Sequence, residues 1–174
     1  LRGIFCMFKE VNFNDYSKEA LEQINNGAFL TVKSGDEVNT MTIGWGNIGV
    51  IWSMPIFTVA VRYSRHTYNL LENSDEFTVS IPIKIDMKKE LAFCGTKSGR
   101  DVNKFKECNL KLKDGIKVGT PIIENCELHY ECKIVYKQAM EPGTLDDSIK
   151  EKYYTNNDYH TLYYGKIVNC YIKE

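Results

Sequence analysis

Short runs rich in β-branched and aromatic residues restrict the possible folds of this chain more than any other feature of its sequence. They lie at residues 28–33, 38–45, 57–62, 77–81, 128–136 and 161–172. Helical patterns occur only at residues 17–24, 64–73 and 101–108. A doubly wound parallel sheet needs strands and helices in regular alternation, whereas an antiparallel barrel needs only turns between its strands. The sequence therefore predicts a mainly β fold, an antiparallel barrel with short peripheral helices.

The first helix and the hairpin that follows it have the clearest local signals. Ser17 is a suitable N-cap for that helix, and Ala20, Leu21 and Ile24 are spaced to lie on its core face. A polar turn at 34–37 then joins the first two β-rich runs. We expect a short amphipathic helix packed beside a β-hairpin.

The composition is that of one soluble globular domain, which we expect to span residues 1–174. A chain of 174 residues can bury roughly 70% of its unfolded surface in a single core. Because 22 basic residues oppose 23 acidic ones, the net charge is −1 and no overall field favours nucleic acid or acidic membranes. No apolar run approaches the roughly 20 residues of a membrane span. Any bound anion must therefore be held by a local cluster of cations.

The cysteines and histidines show no metal-binding or catalytic pattern. The six cysteines include no Cys-x-x-Cys pair, and His66, His129 and His160 are far apart in sequence, so we predict neither metal ligands nor protein catalytic groups. The start of the chain lacks a signal-peptide pattern, which favours reduced thiols and a cytoplasmic location. We expect Cys94 and Cys126 to be small buried hydrophobes. His129 is expected to be a surface or cross-strand residue, and for His160 a structural role is favoured over one in a site.

A strand that ends in basic residues precedes the second helical pattern. Ser64 can cap that helix, where free N–H groups beside the guanidinium groups of Arg62 and Arg65 would suit a phosphate dianion. The alternative is an ordinary helix cap with two solvated arginines. Taken alone, this stretch favours neither interpretation.

A second cationic helix start follows at residues 94–105. Ser98 and Asp101 have the spacing of a capping box, although Asp is not the preferred reaching residue. The residues that gather there are Lys97, Gly99, Arg100 and Lys104. Cations oppose the dipole at a helix N-terminus unless an anion is bound between them. Two such starts in a chain of net charge −1 predict one localised anion, for which phosphate is the simplest candidate.

The stretch 39–46 combines a strand pattern with glycines beside a large aromatic side chain. A glycine lets another group approach the backbone closely because it has no Cβ. The simpler interpretation is a strand that runs into a turn, with Met41, Ile43 and Trp45 on the core face. On this stretch alone the simpler interpretation is preferred.

In their order along the chain, these stretches resemble the flavin reductase-like family, the FMN-binding split-barrel proteins that include flavoredoxin. The main matching segments are Asn39-x-Met41-Thr42-Ile43-Gly44-Trp45, Arg62-x-Ser64-Arg65-x-Thr67-Tyr68 and Cys94-Gly95-Thr96-x-Ser98-Gly99-Arg100-Asp101-x-x-Lys104-Phe105. With shorter matches they span most of residues 27–135. The resemblance implies a Greek-key split barrel, usually a homodimer, with FMN near the subunit interface.

The same resemblance assigns expected roles to residues. The expected neighbours of the isoalloxazine ring are Asn39, Met41, Thr42, Ile43, Gly44 and Trp45. The expected phosphate-side groups are Ser64, Arg65, Thr67, Ser98, Gly99, Arg100 and Lys104. Arg62 is added to this set because its guanidinium group is expected beside the same helix start. Gly44 stands where many members of the family have serine, so a hydroxyl contact to the flavin would be replaced by a backbone contact.

The function that the resemblance implies is hydride transfer between NAD(P)H and flavin, for which no protein acid or base is obligatory. For such an oxidoreductase, another redox protein is the alternative electron donor. A second possibility is an FMN-binding electron carrier or flavin store without NAD(P)H turnover of its own. A third is a ligand-free interaction module. The polar, tyrosine-rich segment 143–159 is expected to be a loop or lid, and is the place where specificity for donor or acceptor would reside.

Overall fold

The fold was derived from a computed structural model that describes residues 7–174. Its strands are β1 (Phe8–Glu10), β2 (Ala28–Ser34), β3 (Glu37–Ile43), β4 (Gly46–Ile51), β5 (Met54–Arg62), β6 (Glu76–Ile81), β7 (Leu112–Lys113), β8 (Ile122–Ile123), β9 (Leu128–Ala139) and β10 (His160–Lys173). Its helices are α1 (Ser17–Ile24), α2 (His66–Leu71), α3 (Lys88–Thr96), α4 (Lys104–Glu107) and α5 (Asp147–Tyr153), with a 3-10 turn at Pro142–Thr144. Cys6, one of the thiols expected to be reduced, lies outside the described residues.

The main sheet has the strand order β3-β2-β6-β9-β10-β5-β4, with β1 paired to one end of β10. Its strand pairs are antiparallel, and the sheet ends on β3 and β4 without closing. Strands β7 and β8 form a separate two-stranded ribbon. The expected mainly β antiparallel fold with short helices is confirmed.

The core lies on both faces of β2, whose first five residues, 28–32, are all buried and all apolar except Thr31. Leu30 and Val32 pack into the larger cluster inside the curved sheet, beside Phe57 and Tyr130. Phe29 points the other way, into a smaller cluster beneath α3. Side chains alternate between the two faces of a strand, so a strand covered on both sides needs apolar residues at nearly every position. This double burial fixes α3 against the hairpin of β2 and β3.

Helix α1 has the predicted bounds but differs from the prediction in its cap and its core face. Tyr16, not Ser17, occupies the N-cap, and the Ser17 hydroxyl donates to Asn14 O at 3.1 Å. Ala20 and Ile24 are buried as expected, whereas Leu21 is 45% exposed. The helix therefore presents a narrower apolar face to the core than its sequence suggests.

Both cationic helix starts differ locally from their sequence interpretation. Helix α2 begins at His66, with Arg65 at the N-cap position and no side-chain cap. Helix α4 begins only at Lys104, where Asn103 caps it by accepting from Lys106 N. Ser98 instead closes a preceding turn by accepting from Arg100 N, so the predicted capping box is wrong. The segment between α3 and α4 is a tight loop, and that loop is what carries the cations.

Besides the short strands β1, β7 and β8, three longer elements have no counterpart in the sequence prediction. Strand β4 contains two glycines and ends in a turn in which Trp52 and Ser53 both have positive φ, at 53° and 55°. Such turns favour glycine or asparagine, so the sequence gives no turn signal there. Helix α3 was not predicted, and the expected loop at 143–159 contains α5. No helix within residues 7–174 is both long and apolar enough to span a membrane.

Candidate functional site

A cavity of about 170 Å³ lies where β3, the junction between β5 and α2, and the loop between α3 and α4 meet. The expected site residues that line it are Asn39, Met41, Ser64, Arg65, Thr67, Ser98, Gly99, Arg100 and Lys104. His66, Thr96 and Lys97 complete its wall. Three stretches that are separate in sequence are therefore brought together around one space.

Four cationic side chains surround this cavity, namely those of Arg65, Lys97, Arg100 and Lys104. Within residues 7–174 none of them forms an ion pair with a carboxylate. A cluster of unpaired cations repels itself, and an anion bound among them would offset that repulsion. The predicted local concentration of positive charge is thus present in a chain of net charge −1.

Lys104 is the most buried of the four cations, with 4% of its surface exposed. Its Nζ donates to Thr40 O at 2.8 Å and to Cys94 O at 2.9 Å. Burial lowers the pKa of its ammonium group and the nearby Arg65 lowers it further, although Cys94 acts in the opposite direction. An ammonium group has three N–H donors, so one remains for a further acceptor. Lys104 is held rigidly at the cavity wall with a donor to spare.

The two arginines are positioned by backbone carbonyl groups. Arg65 Nη1 donates to Gly95 O at 2.9 Å, and Arg100 Nη1 donates to Ser64 O at 3.3 Å. A guanidinium group has five N–H donors, so these contacts leave most of each fork available. The carbonyl contacts therefore orient the arginines without neutralising them.

Asn39 forms the floor of the cavity through two close contacts. Its Nδ2 donates to Thr67 Oγ1 at 2.9 Å, and its Oδ1 lies against Gly99. A Cβ built on Gly99 would lie 2.1 Å from that oxygen, so only glycine fits at this position. The small residue in this loop thus lets the backbone approach β3.

His66 is a cavity residue that the sequence prediction missed. Its Nε2 lies 2.5 Å from Glu37 Oε1, while its Nδ1 is buried without a hydrogen-bond partner among the described residues. An orphaned buried nitrogen at a cavity wall is unusual in a folded protein, and a bound group could supply its partner. The only available signal was its place next to Arg65 at the start of α2, since Glu37 is distant in sequence.

Arg62 does not line the cavity, and Ser64 is not a helix cap. Arg62 donates to Asp158 O at 2.6 Å and to Tyr153 O at 3.1 Å, and its guanidinium carbon lies 4.9 Å from the centroid of the Tyr154 ring. The Ser64 hydroxyl donates to Asp158 Oδ2 at 2.5 Å. Both residues contact the segment that runs from the end of α5 to Asp158, which the sequence prediction treated as a loop.

The stretch 42–45 is divided between different environments. Thr42 Oγ1 donates to Leu91 O at 2.6 Å, and Ile43 is buried in the core. Gly44 and Trp45 line a separate groove of about 370 Å³. Trp45 is 42% exposed, so its expected place on the core face is wrong, while Met41 and Ile43 are buried as that interpretation required.

The remaining histidines have structural environments. His160 is buried and its Nδ1 lies 2.7 Å from the Tyr154 hydroxyl; burial and the nearby Arg62 lower its pKa to about 4. His129 is fully buried between Ser80 Oγ and Cys126 O, each at 2.9 Å. Of its two expected positions, the surface one is wrong and the cross-strand one is confirmed, since His129 lies opposite Ser80 in the pairing of β6 and β9. Burial lowers the pKa of His129 to about 3. Both rings are held in the neutral form near pH 7.

The cysteines expected to act as small hydrophobes are buried. Cys94 and Cys126 both lie in the cluster beneath α3. Burial raises the pKa of the Cys94 thiol to about 12, with Cys108 adding to the effect. A thiol this hard to ionise is a weak nucleophile near neutral pH. No group of three or more His, Cys, Asp or Glu side chains between residues 7 and 174 is arranged to hold a metal ion.

Residues 25–174 match the flavin reductase-like domain family. An uncharacterised protein of Archaeoglobus fulgidus is 30% identical to the chain over 141 residues, which are 81% of this chain and 69% of the relative.

Solved structures with the same fold include proteins of different described activities. An FMN-binding domain of a flavin reductase-like enzyme from Shewanella baltica has a TM-score of 0.68 at 17% identity, covering 96% of this chain and 78% of its own. Flavoredoxin from Methanosarcina acetivorans has a TM-score of 0.66 at 24% identity, covering 85% and 68%. An NADH:FAD oxidoreductase from Streptomyces globisporus has a TM-score of 0.63 at 20% identity, covering 95% and 90%. The open sheet is thus the split barrel of these proteins.

Proposed function

The chain belongs to the flavin reductase-like family, and from this premise we propose that it is an FMN-binding oxidoreductase of the flavin reductase type. The observation that carries the proposal is the phosphate-sized cavity surrounded by four cations that have no carboxylate partner among residues 7–174. The phosphate of FMN carries nearly two negative charges near pH 7 and would satisfy them. Two of the fold relatives are described as an FMN-binding domain and a flavoredoxin.

The residues present fit the phosphate end of FMN. Arg65, Arg100 and Lys104 have free N–H donors, and Thr67 and Ser98 add hydroxyl groups. His66 Nδ1 would gain an acceptor there when both ring nitrogens carry protons, because a phosphate dianion accepts hydrogen bonds and does not donate them. Charge-assisted hydrogen bonds of this kind are about twice as strong as neutral ones. We call Arg65, Thr67, Ser98, Arg100 and Lys104 the clamp. These residues could bind the phosphate with the hydrogen-bond donors that they already present.

The cavity is too small for a whole flavin, since binding sites for such ligands usually enclose about 300–1,000 Å³. Only Asn39 and Met41 among the expected ring neighbours line it. We propose that the ring lies outside the cavity along the stretch 39–45, where Thr42, Ile43 and Gly44 would offer backbone rather than side-chain contacts. A second copy of this chain would then complete the cover of the ring, in a homodimer of single domains located in the cytoplasm.

FMN bound there would supply hydride chemistry with NAD(P)H, because its ring accepts two electrons and a proton. The protein residues would bind the phosphate, orient the ring and exclude water; none is proposed as an acid or base. The likeness to an NADH:FAD oxidoreductase supports this interpretation.

The alternative is an electron carrier or flavin store of the flavoredoxin kind, which would exchange electrons with a redox protein. The likeness to flavoredoxin favours it. Both functions need the same phosphate clamp, so they differ in whether NADH or NADPH reduces the bound flavin.

Two measurements test these proposals in sequence. Titration of FMN into the purified protein should quench the FMN fluorescence and give a saturable curve; absence of quenching would favour the ligand-free module. Anaerobic mixing of the flavin-loaded protein with NADH or NADPH should then bleach the visible flavin band. Binding without bleaching by either nucleotide would favour the electron carrier.

The clamp is tested by removing one cation at a time. Arg65→Ala and Lys104→Ala should each weaken FMN binding by about 1 to 3 kcal/mol, because each removes a charge-assisted hydrogen bond. Lys106→Ala is the matched control, since Lys106 is exposed on the same helix as Lys104 and does not line the cavity. Unchanged FMN affinity in both clamp variants would place the phosphate elsewhere.

A further inference from the structure

Asp158 takes both hydrogen-bond donors of a serine at the cavity wall. The Ser64 hydroxyl donates to Asp158 Oδ2 at 2.5 Å, and the Ser64 N–H donates to Asp158 Oδ1 at 3.2 Å. Ser64 lines the cavity, whereas Asp158 does not. A carboxylate from a distant part of the chain therefore occupies the donors that the sequence assigns to a phosphate.

The consequence for an anion in the cavity follows from hydrogen-bond polarity. A serine hydroxyl has one proton, and when this proton points at Asp158 only oxygen lone pairs remain on its other side. The carbonyl oxygen of Ser64 is also an acceptor and is taken by Arg100. A phosphate dianion beside Ser64 would meet lone pairs instead of donors, together with the nearby negative charge of Asp158. Ser64 can bind phosphate well only if its donors leave Asp158.

Asp158 belongs to a segment with several further anchors, which we call the strap and define as residues 147–158. Arg62 holds its end by donating to the carbonyl oxygens of Tyr153 and Asp158. The Tyr153 ring packs edge-on against Trp45, with their centroids 5.0 Å apart. The strap thus connects the cationic cavity to the groove that contains Trp45. These contacts hold the backbone of the strap at Asp158, so the place of this residue beside Ser64 does not depend on Ser64 alone.

We propose that Asp158 competes with the flavin phosphate for Ser64 and thereby weakens FMN binding, so that the flavin exchanges with the free pool as a substrate. This inference rests on the proposed function, because it assumes that the phosphate lies in the cationic cavity. Without the competition, the same cavity would hold FMN more tightly and release it more slowly. Asp158 is then an affinity-setting residue that acts through Ser64.

The test is the Asp158→Asn variant, which keeps the size of the side chain and removes its charge. The new amide group can donate to the Ser64 oxygen, which frees the Ser64 proton to point into the cavity. We expect FMN to bind about 5- to 30-fold more tightly, the range for one charge-assisted hydrogen bond gained together with one repulsion lost. Riboflavin, which lacks the phosphate, should bind with unchanged affinity. Fluorescence quenching measures both dissociation constants.

Asp147→Asn is the matched control, because it removes the same charge from the strap at a side chain that is 93% exposed and that, among residues 7–174, forms an ion pair with Lys150 alone. Its FMN affinity should equal that of the wild type. Equal tightening of FMN and riboflavin by Asp158→Asn would overturn the proposal, since the effect would not involve the phosphate. So would wild-type FMN affinity in that variant. Failure of every variant to bind either flavin would instead overturn the proposed function.

A second variant separates competition from a purely structural role of Asp158. Ser64→Ala removes the contested hydroxyl, so adding Asp158→Asn to it should tighten FMN binding far less than it does in the wild-type background. Undiminished tightening would show that Asp158 does not act through Ser64. Circular dichroism of each variant checks that the fold is retained, and Asp158→Ala replaces Asp158→Asn if that variant does not fold.

Discussion

At the residue scale, the wall of the cationic cavity depends on one close approach between a glycine and an amide. The Cα of Gly99 lies so near Asn39 that no side chain can be accommodated between them. Asn39 cannot easily move away, because Thr67 holds its amide nitrogen and its side chain is buried. A backbone in close contact with a fixed polar group explains why glycine is required here.

Gly99→Ala should therefore disturb the cavity without unfolding the protein. The added Cβ would push the Asn39 amide from Thr67, and overpacking of this kind costs about 1 to 3 kcal/mol. We expect a lower denaturation midpoint and an FMN affinity reduced by about tenfold, equivalent to about 1.4 kcal/mol. Gly49→Ala is the control, since a Cβ there meets no atom within 4 Å. Equal effects of the two substitutions would contradict the close approach.

The protonation of His129 couples folding to pH. Burial lowers its pKa to about 3, below the usual value of about 6.5 for an exposed histidine. The unfolded chain therefore binds a proton as the pH falls through about 6.5, while the folded protein does not until about pH 3. The contribution of the neutral ring to the free energy of unfolding is therefore fully present above about pH 6.5. It is lost progressively as the pH falls towards 3.

We expect the His129 ring signals in an NMR pH titration to stay constant between about pH 8 and pH 5, where an unperturbed histidine changes its charge. In denaturant titrations, His129 alone should make the folded state about 2 kcal/mol less stable at about pH 5 than at about pH 7. The tautomer that donates from Nε2 to Cys126 O explains the preference for the neutral ring, because Nδ1 then accepts from Ser80. Titration of His129 near its usual pKa would contradict this arrangement.

At the scale of elements, the junction between β5 and α2 is shared by the cavity and the strap. Arg62 ends β5 and points towards the strap, whereas Arg65 at the start of α2 points into the cavity. Because both are arginines in one short stretch, the sequence could not distinguish them, and both were expected to bind the phosphate. The turn between them reverses the direction of the chain, and this local geometry separates their roles.

Arg62→Ala should loosen the strap. It removes two hydrogen bonds to strap carbonyl oxygens and the contact with the Tyr154 ring. Amide hydrogen exchange in residues 147–158 should accelerate by about tenfold or more, because opening of this segment would cost less free energy. Exchange in β9, a central strand, should not change. Lys150→Ala, which removes a cation from α5 itself, serves as the control, and an equal acceleration in both variants would refute the anchoring role of Arg62.

At the scale of the whole molecule, a buried carboxylate attaches an outer loop to the open sheet. Glu131 on β9 is fully buried and accepts from the backbone N–H groups of Ile116, Lys117 and Val118 and from the Tyr171 hydroxyl. Strand β9 lies near the middle of the strand order, between β6 and β10. Its contacts therefore tie a loop to the most central part of the sheet.

Glu131→Gln should reduce the free energy of unfolding by about 2 to 4 kcal/mol, because an amide nitrogen would face N–H donors at the centre of the fold. FMN affinity should be unchanged, since Glu131 is absent from the cavity wall. Glu22→Gln makes the same chemical change at an exposed side chain and should leave the denaturation midpoint nearly unaltered. A stable Glu131→Gln variant would mean that the loop contributes little to the fold.

Much of this architecture could be predicted from local sequence. The β-rich runs became strands because alternating apolar residues bury one face of a sheet wherever it packs, and β2 could be recognised even though both its faces are covered. Strand β4 could not, because its glycines lower its β propensity and the turn at Trp52 and Ser53 adopts positive φ without glycine. Helix α3 was missed because the motif near its end, at Cys94 to Thr96, resembles a helix start.

The sequence by itself determined the class of the fold, the family resemblance and the gathering of cations in two short stretches, because these depend on residues close together along the chain. The tertiary structure decided which atoms of those residues are free. Ser64 and Asp158 are 94 positions apart, and Lys104 and Thr40 are 64 apart. A hydrogen-bond donor can be used by only one acceptor at a time, so its availability depends on every group that folding brings within reach. Short sequence patterns thus identify the residues around the cavity, whereas contacts between distant parts of the chain determine how strongly the cavity can bind an anion.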